Sequence, residues 1–304
     1  MLQFEVTILG CSSAAPTSER HPSAQVLNVH GRFFMIDCGE AAQIQLRRYG
    51  IRIQKIERIF ISHLHGDHFF GLVGLLSTMH LLGRTKELHI HSPEGLKEII
   101  ELQNKYSDTY LRFPVQFHVL DTEKEYTILE DDKICVSTLP LNHRIPCCGF
   151  LFREKPRLRN INKEKLEENK IPLAYINKIK TGSDFTNEKG ETIPNSELTI
   201  DPPLPRTYAY CSDTAYCEAL VPRIENVDLL YHEATFTKDM AERAKETCHS
   251  TASDAATIAK KAEVKKLLIG HYSARYNELQ PLLDEAKSIF GAVELAVEGL
   301  IYIV

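Results

Sequence analysis

Six residues, His63-Leu64-His65-Gly66-Asp67-His68, constrain this 304-residue chain more than any other feature in it. They follow "IERIFIS" (56–62), a β-branched and aromatic run that reads as a buried strand. They lead directly into an apolar stretch, 68–82, that reads as a helix. In extended backbone alternate residues share a side, so His63 and His65 point the same way. Gly66 permits a sharp turn, and Asp67 and His68 fall at the mouth of the next helix. Four ligand-type side chains therefore converge beyond the carboxyl end of one strand. Imidazole and carboxylate suit zinc and similar divalent ions. A single histidine there would be an ordinary core or surface residue; packing alone does not account for four at this spacing.

Such a cluster needs partners from elsewhere in the chain. His143 lies in "LPLNHRIPCCG", Asp213 in "YAYCSDTAY" and His271 in "KLLIGHYSARY". Each follows a predicted strand, the place where α/β folds put their chemistry. Each alone reads equally well as a capping or surface residue. With the first four they make seven ligands, enough for two metals that share one carboxylate.

The rest of the chain predicts an α/β sandwich with helices outside. Residues 3–9 and 24–36 read as strands and 40–50 as a helix ending on Gly50. "ELHIH" reads as a strand, and a helix follows near "SPEGLKEII" with Ser92 as N-cap and Pro93 in the first turn. Short strands fill 115–152. Residues 206–211, 227–231 and 265–270 read as strands followed by helical stretches, and "LAVEGLIYIV" closes the chain as strand.

No apolar run approaches the ~20 residues that cross a bilayer, so a membrane role is not expected. "MLQFEVTILG" has neither a basic leader nor a cleavage site and reads as a first strand; a cytoplasmic location is expected. The eight cysteines include no CxxC pair and read as reduced thiols. A net charge of −5 excludes a chain that binds nucleic acid through overall basicity.

One segment departs from that acidic background. Residues 153–205 are rich in charge, Asn, Pro and Gly and poor in core residues, and read as an inserted arm with one or two short helices. The arm divides a catalytic domain made of 1–152 and 206–304. Residues 153–189 hold ten Lys/Arg against six Asp/Glu, a local +4 on a remainder of −9.

The motifs together resemble those of the metallo-β-lactamase-fold hydrolases, and specifically the short form of the ribonuclease Z family, the tRNA 3′-processing endoribonucleases. The resemblance runs through "LGCSSAAPT", "DCGEAAQIQL" (37–46), "SHLHGDHFFGLVGLL", the His143 loop, "CSDT", "HEATF" (232–236), "CHSTASDAA" (248–256) and "GHYSARY" (270–276). The HxHxDH motif marks only the superfamily; "DCGE", "HEAT", "HST" and H-x-S-x-R-Y are narrower. It implies a metallo-β-lactamase αββα sandwich with a protruding arm, two Zn2+ per subunit, a homodimer and precursor tRNA as substrate. It assigns His63, His65 and His143 to one zinc and Asp67, His68 and His271 to the second, with Asp213 bridging. Asp67 would also orient the attacking water and accept its proton. His249 would stand near the leaving oxygen, with Glu233 holding its other ring nitrogen. Ser273 and Arg275 would contact phosphate.

In this family an arm between the third and fourth ligand motifs grips the tRNA body. The resemblance therefore makes Arg153, Lys155, Arg157, Arg159, Lys163, Lys165, Lys178 and Lys180 the candidate tRNA contacts. Leu173 and Ala174 stand where relatives often carry a Gly-Pro pair. The alternative is a hydrolase of the same fold acting on small phosphodiesters or sulfate esters, against which the arm and H-x-S-x-R-Y argue.

Overall fold

The structure, a computed structural model, describes residues 3–304. In chain order the first part contains β1 (Phe4–Gly10), β2 (Ala24–Val29), β3 (Arg32–Cys38), α1 (Ala42–Arg48), β4 (Ile56–Phe60), α2 (Gly66–Phe69) and α3 (Gly71–Leu81). Then come β5 (Leu88–Ser92), α4 (Leu96–Tyr106), β6 (Val115–Val119), β7 (Thr127–Glu130), β8 (Ile134–Pro140) and β9 (Cys148–Glu154). A region of short elements follows: β10 (Asn160–Ile161), α5 (Lys163–Glu168), α6 (Ile176–Lys180), β11 (Phe185–Thr186), β12 (Thr192–Ile193), α7 (Asn195–Leu198) and β13 (Thr199–Ile200). The last part holds β14 (Thr207–Cys211), β15 (Leu229–Glu233), α8 (Ala241–Thr247), α9 (Ala252–Lys261), β16 (Lys266–Gly270), α10 (Gln280–Lys287), β17 (Val293–Leu295) and β18 (Ile301–Ile303).

Two seven-stranded sheets dominate, in the orders β18-β1-β2-β3-β4-β5-β6 and β17-β16-β15-β14-β9-β8-β7. Aromatic residues of β3, β4 and β9 meet between them. The buried Phe60 ring lies 5.3 Å from Phe150 and 5.5 Å from Phe152. Burying each such ring contributes roughly 1.5–3 kcal/mol. A second apolar layer packs Leu46, Leu72, Leu75, Met79 and Ile100 of α1, α3 and α4 against Met35, Ile59 and Ile90. On the other sheet α9 lies against β15 and β16. This is the αββα sandwich that the sequence predicts.

Strands β3 to β6 are parallel neighbours, as are β14 to β17. Their carboxyl ends are therefore aligned, and the chemistry-bearing motifs leave the sheets there. In the second sheet the register pairs Cys211 with His232 and Glu233 with Gly270. Asp213, Glu233 and His271 consequently emerge at the same level.

Four elements differ from the sequence reading. The stretch 24–36 is a hairpin, because His30 and Gly31 both take positive φ (54° and 83°), the conformation of a tight two-residue turn. The apolar helix begins at Gly66 and is divided at Phe70 into α2 and α3. Ser92 is the last residue of β5, its hydroxyl donating to the Pro93 carbonyl; Gly95, at φ 101°, is the N-cap of α4. The C-terminal segment is two strands, β17 in one sheet and β18 in the other.

The chain divides into two compact units: Met1–Leu129, Val136–Phe152 and Arg206–Val304 form one; Glu130–Cys135 and Arg153–Pro205 form the other. The smaller unit has its own core of Ile171, Ile179, Phe185 and Leu198. It contains eleven Lys/Arg and twelve Asp/Glu, so its net charge is −1. The +4 of 153–189 is thus offset within its own unit. Among the described residues no helix is long and apolar enough to cross a membrane.

Candidate metal centre and active site

His63 and His65 lie on the strand-like exit from β4, with Asp67 and His68 in the first turn of α2. His143 follows β8, Asp213 follows β14 and His271 follows β16. The structure brings all seven predicted ligands together. His63, His65, His143 and Asp213 form one group and Asp67, His68 and His271 another, the ligand atoms within each lying inside 4.8 Å of one another. Asp213 belongs to the first and reaches the histidines of the second. Its Oδ1 is 3.6 Å from His63 Nε2 and 3.9 Å from His143 Nε2, while Oδ2 is 3.0 Å from His68 Nε2 and 3.2 Å from His271 Nε2. Asp213 (φ 61°) and His271 (φ 60°) both occupy the left-handed region, which costs a non-glycine residue about 1 kcal/mol or more and recurs at functional sites.

Hydrogen bonds on the far side of the rings fix which nitrogen faces inward. His68 Nδ1 is 2.7 Å from the Asp37 carboxylate, an acceptor only, so Nδ1 keeps a proton and Nε2 is the nitrogen turned inward. The Ser62 hydroxyl donates to Asp37 at 2.9 Å and so accepts from His63 Nδ1 at 3.0 Å. The Thr235 hydroxyl donates to Glu233 Oε2 at 2.5 Å and so accepts from His271 Nδ1 at 2.9 Å. His143 Nδ1 donates to the Cys248 carbonyl at 3.0 Å. Two buried carboxylates, Asp37 and Glu233, thus each orient one imidazole directly and one through a hydroxyl.

The consequence is a concentration of lone pairs. His63 Nε2 faces His65 Nδ1 at 3.1 Å, His143 Nε2 faces the same nitrogen at 3.2 Å, and the Nε2 atoms of His68 and His271 are 3.4 Å apart. Where two inward nitrogens are both bare they repel unless a proton or a metal ion lies between them, as with the Nε2 atoms of His68 and His271, whose Nδ1 protons are held outside the cluster. Imidazoles whose outer N–H is held by carboxylate, hydroxyl or carbonyl are the arrangement metal sites use. The residues present therefore fit divalent metal.

Electrostatics agree for three of the histidines; burial opposes charge on His68 as well, but Asp213, Asp67 and Asp37 outweigh it and raise its pKa, so metal must displace a proton there. Burial pulls His63, His65 and His143 below the ordinary histidine pKa, which favours the neutral, ligating form. Burial opposes charge on Asp67 and Asp213 too, but the imidazoles around them outweigh it and hold both carboxyls below the usual carboxylate range. The Ala14 N–H donates to Asp67 Oδ2 at 2.7 Å.

His249 stands apart from the ligands in its protonation. Its Nδ1 donates to Glu233 Oε1 at 2.9 Å. Burial works against its charge, yet the buried Glu233 carboxylate raises its pKa to about 9. A protonated imidazole is a proton donor and not a ligand, although His249 also lies within reach of Asp213 and His271. The remainder of "HST" is structural. Ser250 donates through its hydroxyl to the Thr214 carbonyl at 2.6 Å, and Thr251 forms a capping box with Asp254 at the start of α9. In "HEAT", His232 is fully buried with Nδ1 donating to the Glu233 carbonyl, and takes no part in the cluster.

These groups open into a cleft of about 370 Å³ whose lining includes Glu40, Asp67, Phe70, Arg144, His249 and His271. Ser273 and Arg275 are not among the lining residues. Ser273 is 8% exposed, and its hydroxyl accepts the Arg275 N–H, which holds a local turn. Arg275 is exposed and forms no ion pair among the described residues. Of the arm residues, Lys155, Arg157, Arg159 and Lys165 pair with Glu130, Glu154, Asp201 and Glu168. Arg153 is exposed; Lys163, Lys178 and Lys180 form no ion pair among the described residues.

Asp37, Ser62, Thr235, Arg144 and Phe70 were not singled out by the sequence reading. All five sit inside stretches it quoted: Asp37 opens "DCGE", Ser62 and Phe70 lie in "SHLHGDHFFGLVGLL", Arg144 follows His143 in "LPLNHRIPCCG" and Thr235 ends "HEAT". Asp37 accepts from Ser62 N, Ser62 Oγ, His68 Nδ1 and Tyr210 OH with no exposed surface. Asp37→Ala leaves four buried donors without an acceptor and is expected to lower stability by about 3–5 kcal/mol. Urea unfolding followed by circular dichroism checks this; a change below about 1 kcal/mol refutes the role given to Asp37.

Comparison with known proteins now bears on this geometry. A family model described as anti-Pycsar protein Apyc1 matches residues 4–160, just over half the chain. A Bacteroides thetaiotaomicron protein named ribonuclease Z is 50% identical over 300 residues, covering 99% of this chain and 95% of its own. A Cytophaga hutchinsonii protein of the same name is 51% identical over 299 residues, covering 98% and 95%. The chain belongs to the ribonuclease Z family. Among solved structures, human tRNase Z, short form, superposes with a TM-score of 0.70 at 29% identity, covering 98% of both chains. The metallo-β-lactamase-fold protein YhfI from Bacillus subtilis gives 0.69 at 20% identity, a likeness of fold alone. Ribonuclease Z membership and the ligand clusters together make this a divalent-metal protein of the metallo-β-lactamase fold.

Proposed function

We propose that this protein is a zinc-dependent endoribonuclease that removes the 3′ trailer from precursor tRNA, leaving a 3′-hydroxyl on the tRNA and a 5′-phosphate on the trailer. The observation that carries the reading is the convergence of seven lone-pair ligands on one cleft that also presents the Glu233–His249 pair. The names of the ribonuclease Z relatives and of the human tRNase Z support the substrate. A donor set of imidazoles and carboxylates without thiolate supports zinc. His63, His65 and His143 would hold one ion, Asp67, His68 and His271 the other, and Asp213 both. Ions held there would supply neutralisation of the charge developing on a phosphate and activation of a water.

The chain's own residues do the remainder. Asp67, fixed by the Ala14 N–H and held ionised, accepts a hydrogen bond from the attacking water. Its depressed pKa keeps it an ionised acceptor that orients the water for attack. His249, protonated and anchored through Nδ1, donates its other proton to the tRNA O3′ as the P–O3′ bond breaks. Glu233 stabilises the imidazolium before transfer.

Residues 153–205 act in this reading as the arm that grips tRNA through phosphates, which gives affinity without sequence readout. Because four of its basic residues are already ion-paired, Lys163, Lys178 and Lys180 carry most of that contact. A homodimer and a cytoplasmic location belong to the same reading.

The test is cleavage of a 3′-extended precursor tRNA with the cut end mapped. The wild type is expected to cut next to the discriminator base or just after CCA, and Asp67→Ala to be nearly inactive. The triple variant Lys163→Ala, Lys178→Ala, Lys180→Ala is expected to bind precursor more weakly, with a salt slope shallower by about 2–3. No cleavage by a protein shown to hold two metals per chain would sink the tRNA reading.

A further inference from the structure

Phe70 is the one large apolar side chain among the described residues lining the metal cleft, and 60% of its surface is exposed. Its neighbours there, Glu40, Asp67, Arg144 and His249, are charged or polar. An exposed phenyl ring in such a cleft forgoes the gain of burial, and the local structure holds it there. Phe70 joins α2 to α3, three residues after Asp67 on a helical backbone (φ −59°, ψ −24°). Its ring lies over Gly66 so closely that a Cβ at that position would stand 2.1 Å from Phe70 Cε2. From behind, the largely buried Phe69 ring meets it at 5.0 Å and 69°. The ring is therefore rigid, exposed and positioned beside the ligand Asp67.

The part of an RNA chain that matches a flat apolar surface is a nucleobase, and aromatic rings bind unpaired bases by stacking. We propose that Phe70 is the platform on which a base flanking the scissile phosphate stacks. This rests on the nuclease reading, because the scissile phosphate is what places that base beside the ligands. A phenyl ring has no hydrogen-bonding group with which to discriminate among bases. The platform therefore fixes the position of the cut while tolerating any nucleotide, as an enzyme acting on many precursors requires. Stacking that persists from the bound state to the transition state changes KM and leaves kcat alone.

The experiment compares wild type, Phe70→Ala and Phe70→Trp on a 3′-extended precursor tRNA and on two further precursors, abasic on either side of the cut, with metal content measured for each protein. On the intact precursor Phe70→Ala is expected to raise KM about 5- to 150-fold at unchanged kcat and metal content, and Phe70→Trp to restore it. On one of the abasic precursors wild type and Phe70→Ala should have equal KM. An alanine penalty that persists on both abasic precursors, or that comes with lost metal, overturns the stacking. An unchanged KM on the intact precursor, with normal wild-type cleavage, overturns the stacking alone. Absence of wild-type cleavage overturns the nuclease reading and this one with it.

Discussion

Asp213→Asn is expected to reduce kcat/KM on precursor tRNA at least about a thousandfold while leaving the protein folded. The reason is the division of labour between its two oxygens: Oδ1 faces His63 and His143, Oδ2 faces His68 and His271. Through these two oxygens one side chain reaches the histidines of both ligand groups. Asparagine keeps the volume and tolerates the left-handed backbone that Asp213 adopts. It removes the buried negative charge, however, and turns either an uncharged oxygen or an N–H toward each group. A centre that neutralises a developing phosphate charge supplies several kcal/mol, and a loss of about 4 kcal/mol is a factor of roughly a thousand. Metal analysis of the purified variant should show fewer than two ions per chain, with a wild-type-like far-ultraviolet spectrum. Activity within tenfold of wild type would remove Asp213 from the bridging position.

Much of this site was legible because its ligands are local in sequence. His63, His65, Asp67 and His68 lie within six residues at a strand-to-helix junction, so spacing and period alone brought them together. Asp213 and His271 could be nominated because parallel strands end at a common level, and His143 because it too follows a predicted strand. What stayed hidden depends on tertiary hydrogen bonding. Ser62 and Thr235 relay two buried carboxylates to His63 and His271, and a lone hydroxyl in a sequence does not reveal its partner. The hairpin within 24–36 was missed because His30-Gly31 is a weak turn signal inside an apolar run. Ser92 was misread as a cap because the serine pattern outweighed Gly95, the residue able to take φ 101°. Local charge counting failed for a related reason. The +4 of 153–189 is real, but Glu130 and Asp201, distant in sequence, pair with Lys155 and Arg159.

Stripping the metal should lower the melting temperature by about 10 °C or more, independently of any effect on turnover. Metal held at one hundred times its dissociation constant stabilises the folded state by about 2.7 kcal/mol per site. Two sites give roughly twice that, and a domain of this size moves about 2–4 °C per kcal/mol. The stripped protein also brings inward-facing nitrogens together, such as the Nε2 atoms of His68 and His271 at 3.4 Å, which repel when both are bare. Protonation relieves part of that repulsion. Burial disfavours charge on His68, but Asp213, Asp67 and Asp37 outweigh that and raise its pKa well above the ordinary histidine value. A histidine whose pKa is raised by folding contributes stability that is complete below its unfolded pKa and disappears as pH climbs through the folded one. The metal-free protein should therefore lose stability as pH rises above the ordinary histidine range. Metal binding should correspondingly release protons and tighten with pH. Thermal melts with and without a strong chelator, across a pH series, read both effects: the gap between the two curves should widen toward high pH and close when zinc is restored. Asp213→Asn supplies the control, since a protein that has lost its metal has little left for the chelator to remove. A wild-type melting temperature that ignores the chelator would show that the cluster holds no tightly bound ion.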